Sequence, residues 1–167
     1  MSATLQTDHW NGQVIDRENA PRMHQFMLRN REHLAPWIPV PDDLGELDAR
    51  IGELETEVRE GTALRLMLTD AADPEGPALG YIMFTRMRDE GGRTCMISGG
   101  IDCELQGRGL MSEAMGGAFE MLSSLGFERV EARVAPENER SIALVERMGF
   151  ALVRRDEEGL WFERRTH

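Results

Sequence analysis

Residues 98–126 constrain the fold of this 167-residue chain more than any other stretch. An extended segment, Ser98-Gly99-Gly100-Ile101, runs into the turn Gln106-Gly107-Arg108-Gly109, and a helical pattern follows without a breaker. Apolar or small residues at 110, 111, 114, 115, 118, 121, 122 and 125 recur at three- and four-residue steps, the period of a buried helix face. Gly126 supplies the stop, because glycine accepts the left-handed conformation past a helix end. A glycine-bearing turn that opens a helix presents unpaired backbone N–H groups and the positive end of a dipole, which suits phosphate. An ordinary strand-to-helix connection has the same look, and this stretch alone does not choose between them.

Two common nucleotide motifs fail on the same residues. A dinucleotide fingerprint needs a third glycine at position 112, which is Ser112, and no strand–helix–strand alternation follows. A P-loop needs Gly-Lys-Ser/Thr, which is absent. The formal charge of −11 argues against nonspecific binding to nucleic acid or an anionic membrane. No stretch reaches membrane-spanning length, and residues 1–8 show neither a basic start nor an apolar run, so no signal peptide is expected. Cys95 and Cys103 stand eight residues apart on mostly extended chain, roughly 26 Å at strand rise, too far for a disulfide. Free thiols fit a reducing compartment, so a cytoplasmic protein is expected. The histidines at 9, 24, 33 and 167 share no ligand spacing with the cysteines or each other, and no metal is expected.

The rest of the chain reads as one domain, 1–167, of α+β class. Val14 and Ile15 mark a short first strand in 10–16. Asn19 and Pro21 read as the cap and first turn of a helix reaching about Leu34. The prolines of 36–41 forbid regular structure around Trp37, which either packs or lines a substrate cleft. A second helix spans Asp42 to Glu60, with Leu47, Ile51, Leu54 and Val58 as its apolar stripe. Strands at 63–69, 78–87 and 94–101, separated by polar turns, make an antiparallel meander. After the central helix come a strand at 129–134, a helix opened by Asn138 and ended by Gly149, and a hairpin pairing about 150–155 with 160–165.

Three separated stretches, in this order over about 120 residues, resemble the GNAT N-acetyltransferases, and within them the RimJ/RimL-like branch that acetylates ribosomal proteins. Gln106-x-x-Gly109-x-Met111 resembles the family's Gln/Arg-x-x-Gly-x-Gly/Ala loop, with methionine in place of a small last residue. Asn30-Arg31-x-x-Leu34-x-Pro36-Trp37 resembles the element ahead of it. Arg129-Val130-Glu131-Ala132 with Pro136-x-Asn138-x-x-Ser141 and Glu146-x-x-Gly149-Phe150 resembles the C-terminal signature. The resemblance implies a GNAT-like domain: a mixed, mostly antiparallel sheet splayed between two central parallel strands and flanked by about four helices.

It further implies acetyl-CoA as co-substrate and a primary amine as acceptor, either a protein or peptide N-terminal α-amine or a small molecule, attacking the thioester directly. The cofactor-binding residues it implies are Ile101, Gln106, Gly107, Arg108, Gly109, Leu110, Met111, Asn138 and Ser141. Backbone N–H groups of 106–111 would cradle the pyrophosphate, and Ser98-Gly99-Gly100 would form the bulge that starts the splay. Met111 is tolerated there if it turns into the core. Ser141 either protonates the leaving thiolate or is a first-turn helix serine; Asn138 either meets the cofactor or caps its helix; Arg108 either adds charge or is solvated. Met96 stands where some relatives carry a glutamate base, which leaves Asp102 and Glu104 as nearby carboxylates, Glu104 being the catalytic candidate beside Ser141. Trp37 is the substrate-binding candidate, while Tyr81 reads as packing. The methionines at 96 and 111 also leave open a CoA-binding regulatory or interaction module without turnover. A homodimer is a further expectation from this branch.

Overall fold

Residues 5–167 are described by the computed structural model; residues 1–4, in the stretch where no signal peptide is expected, lie outside the described residues. In chain order the elements are β1 (Leu5–Gln6), β2 (Trp10–Val14), α1 (Ala20–Arg29), α2 (Arg31–Leu34), α3 (Leu44–Glu60), β3 (Leu64–Asp70), β4 (Gly80–Arg88) and β5 (Thr94–Ile101). A single 3₁₀ turn at Cys103–Leu105 leads to α4 (Leu110–Ser124), β6 (Arg129–Val134), α5 (Glu139–Arg147), β7 (Ala151–Asp156) and β8 (Gly159–Arg165). All eight strands form one sheet in the order β1-β2-β3-β4-β5-β6-β8-β7. Every pair is antiparallel except β5–β6. That parallel pair needs a crossover, and the helical pattern of 110–125 supplies it as α4.

The alternation of β3 explains the layering. Leu66 and Leu68 face one side of the sheet and Met67 the other, and all three are fully buried. On the first side, α4 lays Ala114, Ala118 and Leu122 against Ile82, Phe84, Cys95 and Val130, with Val145 of α5 on the same core. On the second, α1 and α3 lay Met23, Phe26, Leu47 and Ile51 against Met67 and Tyr81. Burying a leucine- or phenylalanine-sized side chain contributes about 1.5–3 kcal/mol, so these two cores fix the helices on the sheet. Among the described residues no helix covers the second side of β6, β8 and β7. Trp161 is buried there beneath arginines instead, with the Arg154 guanidinium 4.1 Å from its ring centre.

Three local expectations are corrected. The first helix breaks at Asn30, whose φ of −108° and ψ of 18° are not helical, so five helices stand among the described residues rather than about four. Asn19 occupies the cap position of α1 without capping it. Its amide ties back to β2 and the following turn, accepting from Asp16 N–H at 2.9 Å and donating to the Val14 carbonyl at 2.9 Å. Ser98, Gly99 and Gly100 form no bulge: they pair in unbroken register with Met83, Ile82 and Tyr81. The irregularity lies on β4 between Thr85 and Arg88, where Arg86 has a φ of 48°.

The glycines at 99 and 100 serve close approach instead. A Cβ on Gly99 would stand 2.8 Å from the Tyr81 carbonyl oxygen and 2.9 Å from Met111 Cε, so the missing side chain is what admits Met111. Both cysteines are free thiols, Cys95 buried and Cys103 exposed. Among the described residues no helix is long and apolar enough to cross a membrane.

Candidate active site

The two parallel strands pair only from Thr94–Arg129 to Met96–Glu131, and past that point β6 leaves β5. Asp102 N–H donates to the Leu79 carbonyl at 2.8 Å, so alternation along the antiparallel ladder turns the N–H of Gly100 toward β4. The N–H groups of Gly99 and Ile101 then face the gap that β6 has vacated. A strand edge with open donors is a place for an extended, amide-bearing ligand to lie.

The turn that follows is clamped from the far end of the chain. Buried Asn30, at the break between α1 and α2, donates to the Phe26 carbonyl (3.0 Å) and to Asp102 Oδ2 (3.3 Å) and accepts from Cys103 N–H (2.9 Å). Arg29 Nε adds a 3.1 Å bond to the same carboxylate oxygen. Burial alone would raise the Asp102 carboxyl, but the Glu104 N–H, the Asn30 amide and the Arg29 guanidinium outweigh it and hold the group below the usual carboxylate value. Asp102 is therefore a buried, ionised anchor with both carboxylate oxygens engaged, and it is not a free base.

Beyond this anchor Gly107 and Gly109 both have positive φ, 80° and 75°, and Gly109 takes the N-cap position of α4 without any side-chain cap. The first helical bond there is Glu113 N–H to the Gly109 carbonyl, which leaves the N–H groups of 110–112 open. No protein atom lies within 4 Å of a Cβ built at Gly107 or Gly109, so the backbone is bare on the outside of the turn. An uncapped fifteen-residue helix start with a bare backbone suits a phosphate or pyrophosphate.

These parts open into one cleft of about 850 Å³. One wall is Gly99, Gly100 and Ile101 with the turn Gln106, Gly107 and Gly109; another is the start of α5, with Asn138, Arg140 and Ser141; a third is α2 and Tyr81. Leu110, Met111 and the half-exposed Trp37 also line it. The structure thus brings together all of the expected site residues but two: exposed Glu104 and Arg108 do not line the cleft. Asn138 caps α5 by accepting from Ser141 N–H at 3.2 Å and also faces the cleft. Met111 packs against the core beneath the turn.

Sequence reasoning missed His33, which lines the cleft; Tyr81 packs in the core as expected and also reaches the cleft lining. His33 Nε2 lies 2.6 Å from Gln106 Nε2. Burial and the nearby Arg140 charge push the His33 imidazole below its ordinary value, so near neutral pH it is uncharged and its Nε2 accepts from the Gln106 amide. The signal was the His33 position within the Asn30–Trp37 element, which no local pattern ties to Gln106, 73 residues away. No group of three or more His, Cys, Asp or Glu side chains among the described residues is placed to hold a metal. A smaller cavity of about 330 Å³ between β2 and α3, lined by Val14, Ile15 and Leu54, gathers no comparable chemistry.

Comparison with known proteins agrees with this geometry. Residues 13–151 match the family model described as acetyltransferase (GNAT) domain. The [ribosomal protein uS5]-alanine N-acetyltransferase of Escherichia coli K12 is 29% identical over 151 residues, which is 87% of this chain and 77% of that protein. Among solved structures, ribosomal-protein-S5-alanine acetyltransferase from Vibrio fischeri superposes with a TM-score of 0.81 at 20% identity, over 98% of this chain and 96% of that one. RimL, a ribosomal L7/L12 α-N-protein acetyltransferase in complex with coenzyme A, superposes with a TM-score of 0.84 at 17% identity over 97% of each chain. With the open strand gap, the bare glycine turn and a family match over most of its length, the chain belongs to the GNAT acetyltransferases.

Proposed function

We propose that this protein transfers the acetyl group of acetyl-CoA to the N-terminal α-amine of a protein. The observation that carries the reading is the convergence, in one cleft, of the vacated edge of β5 with the uncapped start of α4. The N–H groups of 110–112 and the turn 106–109 hold the pyrophosphate, and Ile101 N–H in the strand gap holds the pantetheine arm. Arg140, beside Asn138 and Ser141 at the start of α5, adds positive charge in a chain whose net charge is −11. The acceptor reading rests on the similarity to enzymes named for acetylating ribosomal-protein alanine, with half-exposed Trp37 on the cleft lining as a surface for the acceptor.

In the transfer, the neutral amine nitrogen bonds to the thioester carbonyl carbon, and the carbon–sulfur bond breaks. An open N–H of the strand gap receives the oxyanion. Ser141, facing the cleft from the first turn of α5, gives its hydroxyl proton to the leaving thiolate and regains one from solvent. The amine proton leaves through water. Asp102 is engaged, Glu104 is outside the cleft, and Glu131, beside Met96 on the parallel ladder, is paired with Arg88 at 3.0 Å. The His33 acceptor nitrogen is occupied by Gln106.

The alternative of a CoA-binding module without turnover loses one of its two grounds. Met111 is accommodated by Gly99 and the core rather than obstructing the turn. The test is acetyl-CoA with peptides beginning in alanine, serine or threonine, following free thiol. Peptide-dependent release with an acetylated peptide terminus is expected. CoA binding without release to any peptide or amine would replace the enzyme reading with the module.

A further inference from the structure

We infer that Tyr81 is the acceptor-recognising residue, its phenol donating a hydrogen bond to the carbonyl oxygen of the acceptor's first residue and so aiming the amine at the thioester. This rests on the reading of the acceptor as a protein N-terminus. Tyr81 is 5% exposed, yet its side chain lines the cleft beside Gly100. Its hydroxyl has no hydrogen-bond partner among the described residues and is not one of the fully enclosed unpaired atoms, so it opens on the cleft. Gly100 keeps that hydroxyl uncovered: a Cβ there would stand 3.1 Å from the ring and 3.3 Å from the oxygen. Phe26 fixes the ring edge-on, with centroids 6.2 Å apart.

Burial pushes the phenol up to about 12, so it stays protonated and serves as a donor rather than a base. The partner it meets follows from which side of the sheet it occupies. The helix starts at α4 and α5, which suit phosphate and the pantetheine arm, pack on the core of Leu66 and Phe84. Tyr81 packs on the opposite core with Phe26 and Leu34, beside α2 and the turn that carries Trp37. The ligand arriving from that side is the acceptor. A neutral attacking amine must keep its lone pair free, and the nearest acceptor atom that every N-terminal residue offers is its own carbonyl oxygen.

The test is Tyr81→Phe, which keeps the ring and its packing on Phe26. With acetyl-CoA and a peptide that the unaltered enzyme uses, the peptide KM should rise about tenfold while kcat stays within about twofold. CoA affinity by calorimetry and the melting temperature should not move. A peptide analogue whose first carbonyl is reduced to methylene should be used equally well by both proteins. A fall in kcat at unchanged KM would place Tyr81 on the thioester instead, and unchanged kinetics would leave it as packing; either overturns the inference. Turnover of small amines but of no peptide by the unaltered enzyme would overturn both the inference and the acceptor reading, whereas peptide turnover with no effect of Tyr81→Phe would overturn the inference alone.

Discussion

Asn30 uses its whole side-chain amide to join segments 72 residues apart. Removing it strands the Cys103 N–H and takes one donor from the buried Asp102 carboxylate. Asn30→Ala should therefore cost about 1–3 kcal/mol in urea unfolding and speed hydrogen exchange in the turn that follows Asp102. A second residue-scale contact governs pH. His9 Nδ1 and Glu113 Oε1 are 2.7 Å apart, and Thr7 donates to the other carboxylate oxygen at 2.5 Å. The hydrogen bond to Glu113 and its charge raise His9 above 6.5. Burial opposes the ionised Glu113, but Thr7 and His9 outweigh it and hold the carboxyl below 4.5. The His9 contribution is thus whole below 6.5 and fades as pH rises through its raised value. The Glu113 contribution is whole above 4.5 and fades as pH falls through its lowered value. The melting difference between the unaltered protein and His9→Gln should be greatest between 4.5 and 6.5 and shrink on the alkaline side; a difference that grows with pH would refute the pair. None of these contacts was legible beforehand, because periodicity and short motifs report neighbours along the chain, and Asn30–Asp102, His33–Gln106 and Thr7–Glu113 are all distant in it.

At the scale of elements the sequence was far more telling. The bounds of β5 and β6 and the start of α4 follow from alternation, helical spacing and Gly109, which are local properties. The misreadings had one cause: glycines and asparagines signal conformational licence without saying what uses it. Gly99 and Gly100 suggested a bulge, but they are small because Met111 and Tyr81 occupy the space. Gly99→Ala should therefore destabilise the fold by about 1–3 kcal/mol, since the Tyr81 carbonyl 2.8 Å from the new Cβ belongs to the β4 backbone and cannot swing aside. Adding Met111→Ala should recover only part of the loss, measured by urea midpoints. Gly109 makes the opposite case. Nothing lies within 4 Å of its Cβ position, so Gly109→Val meets only the backbone cost of a φ near 75°, about 1–3 kcal/mol, while distorting the turn. It should remain folded by circular dichroism and lose at least tenfold in CoA affinity. Undiminished affinity would displace the pyrophosphate from this turn.

For the molecule as a whole, the proposed reading divides the labour across the sheet: α4 and α5 would offer their starts to the cofactor from one side, while α2 and Tyr81 would meet the acceptor from the other. Met96 puts no carboxylate on β5, and the one acid lining the cleft among the described residues is Glu139, at the α5 start proposed for the cofactor. The pH dependence of kcat/KM should therefore follow the acceptor's own α-amine, rising toward about pH 8, where such amines lose their proton. A plateau already reached near pH 5 would reveal an enzyme carboxylate doing the deprotonation. All 19 basic residues are arginine, so the chain offers no lysine amine to compete for the acetyl group. That makes the decisive measurement clean. Purified protein is incubated with acetyl-CoA and a panel of peptides beginning in alanine, serine or threonine, and both free thiol and the mass of each peptide are followed. The account predicts thiol release that depends on peptide, with the acetyl group on the peptide's terminal nitrogen. Neither release nor acetylated peptide, together with no CoA binding by calorimetry, would contradict the assignment of the cleft itself.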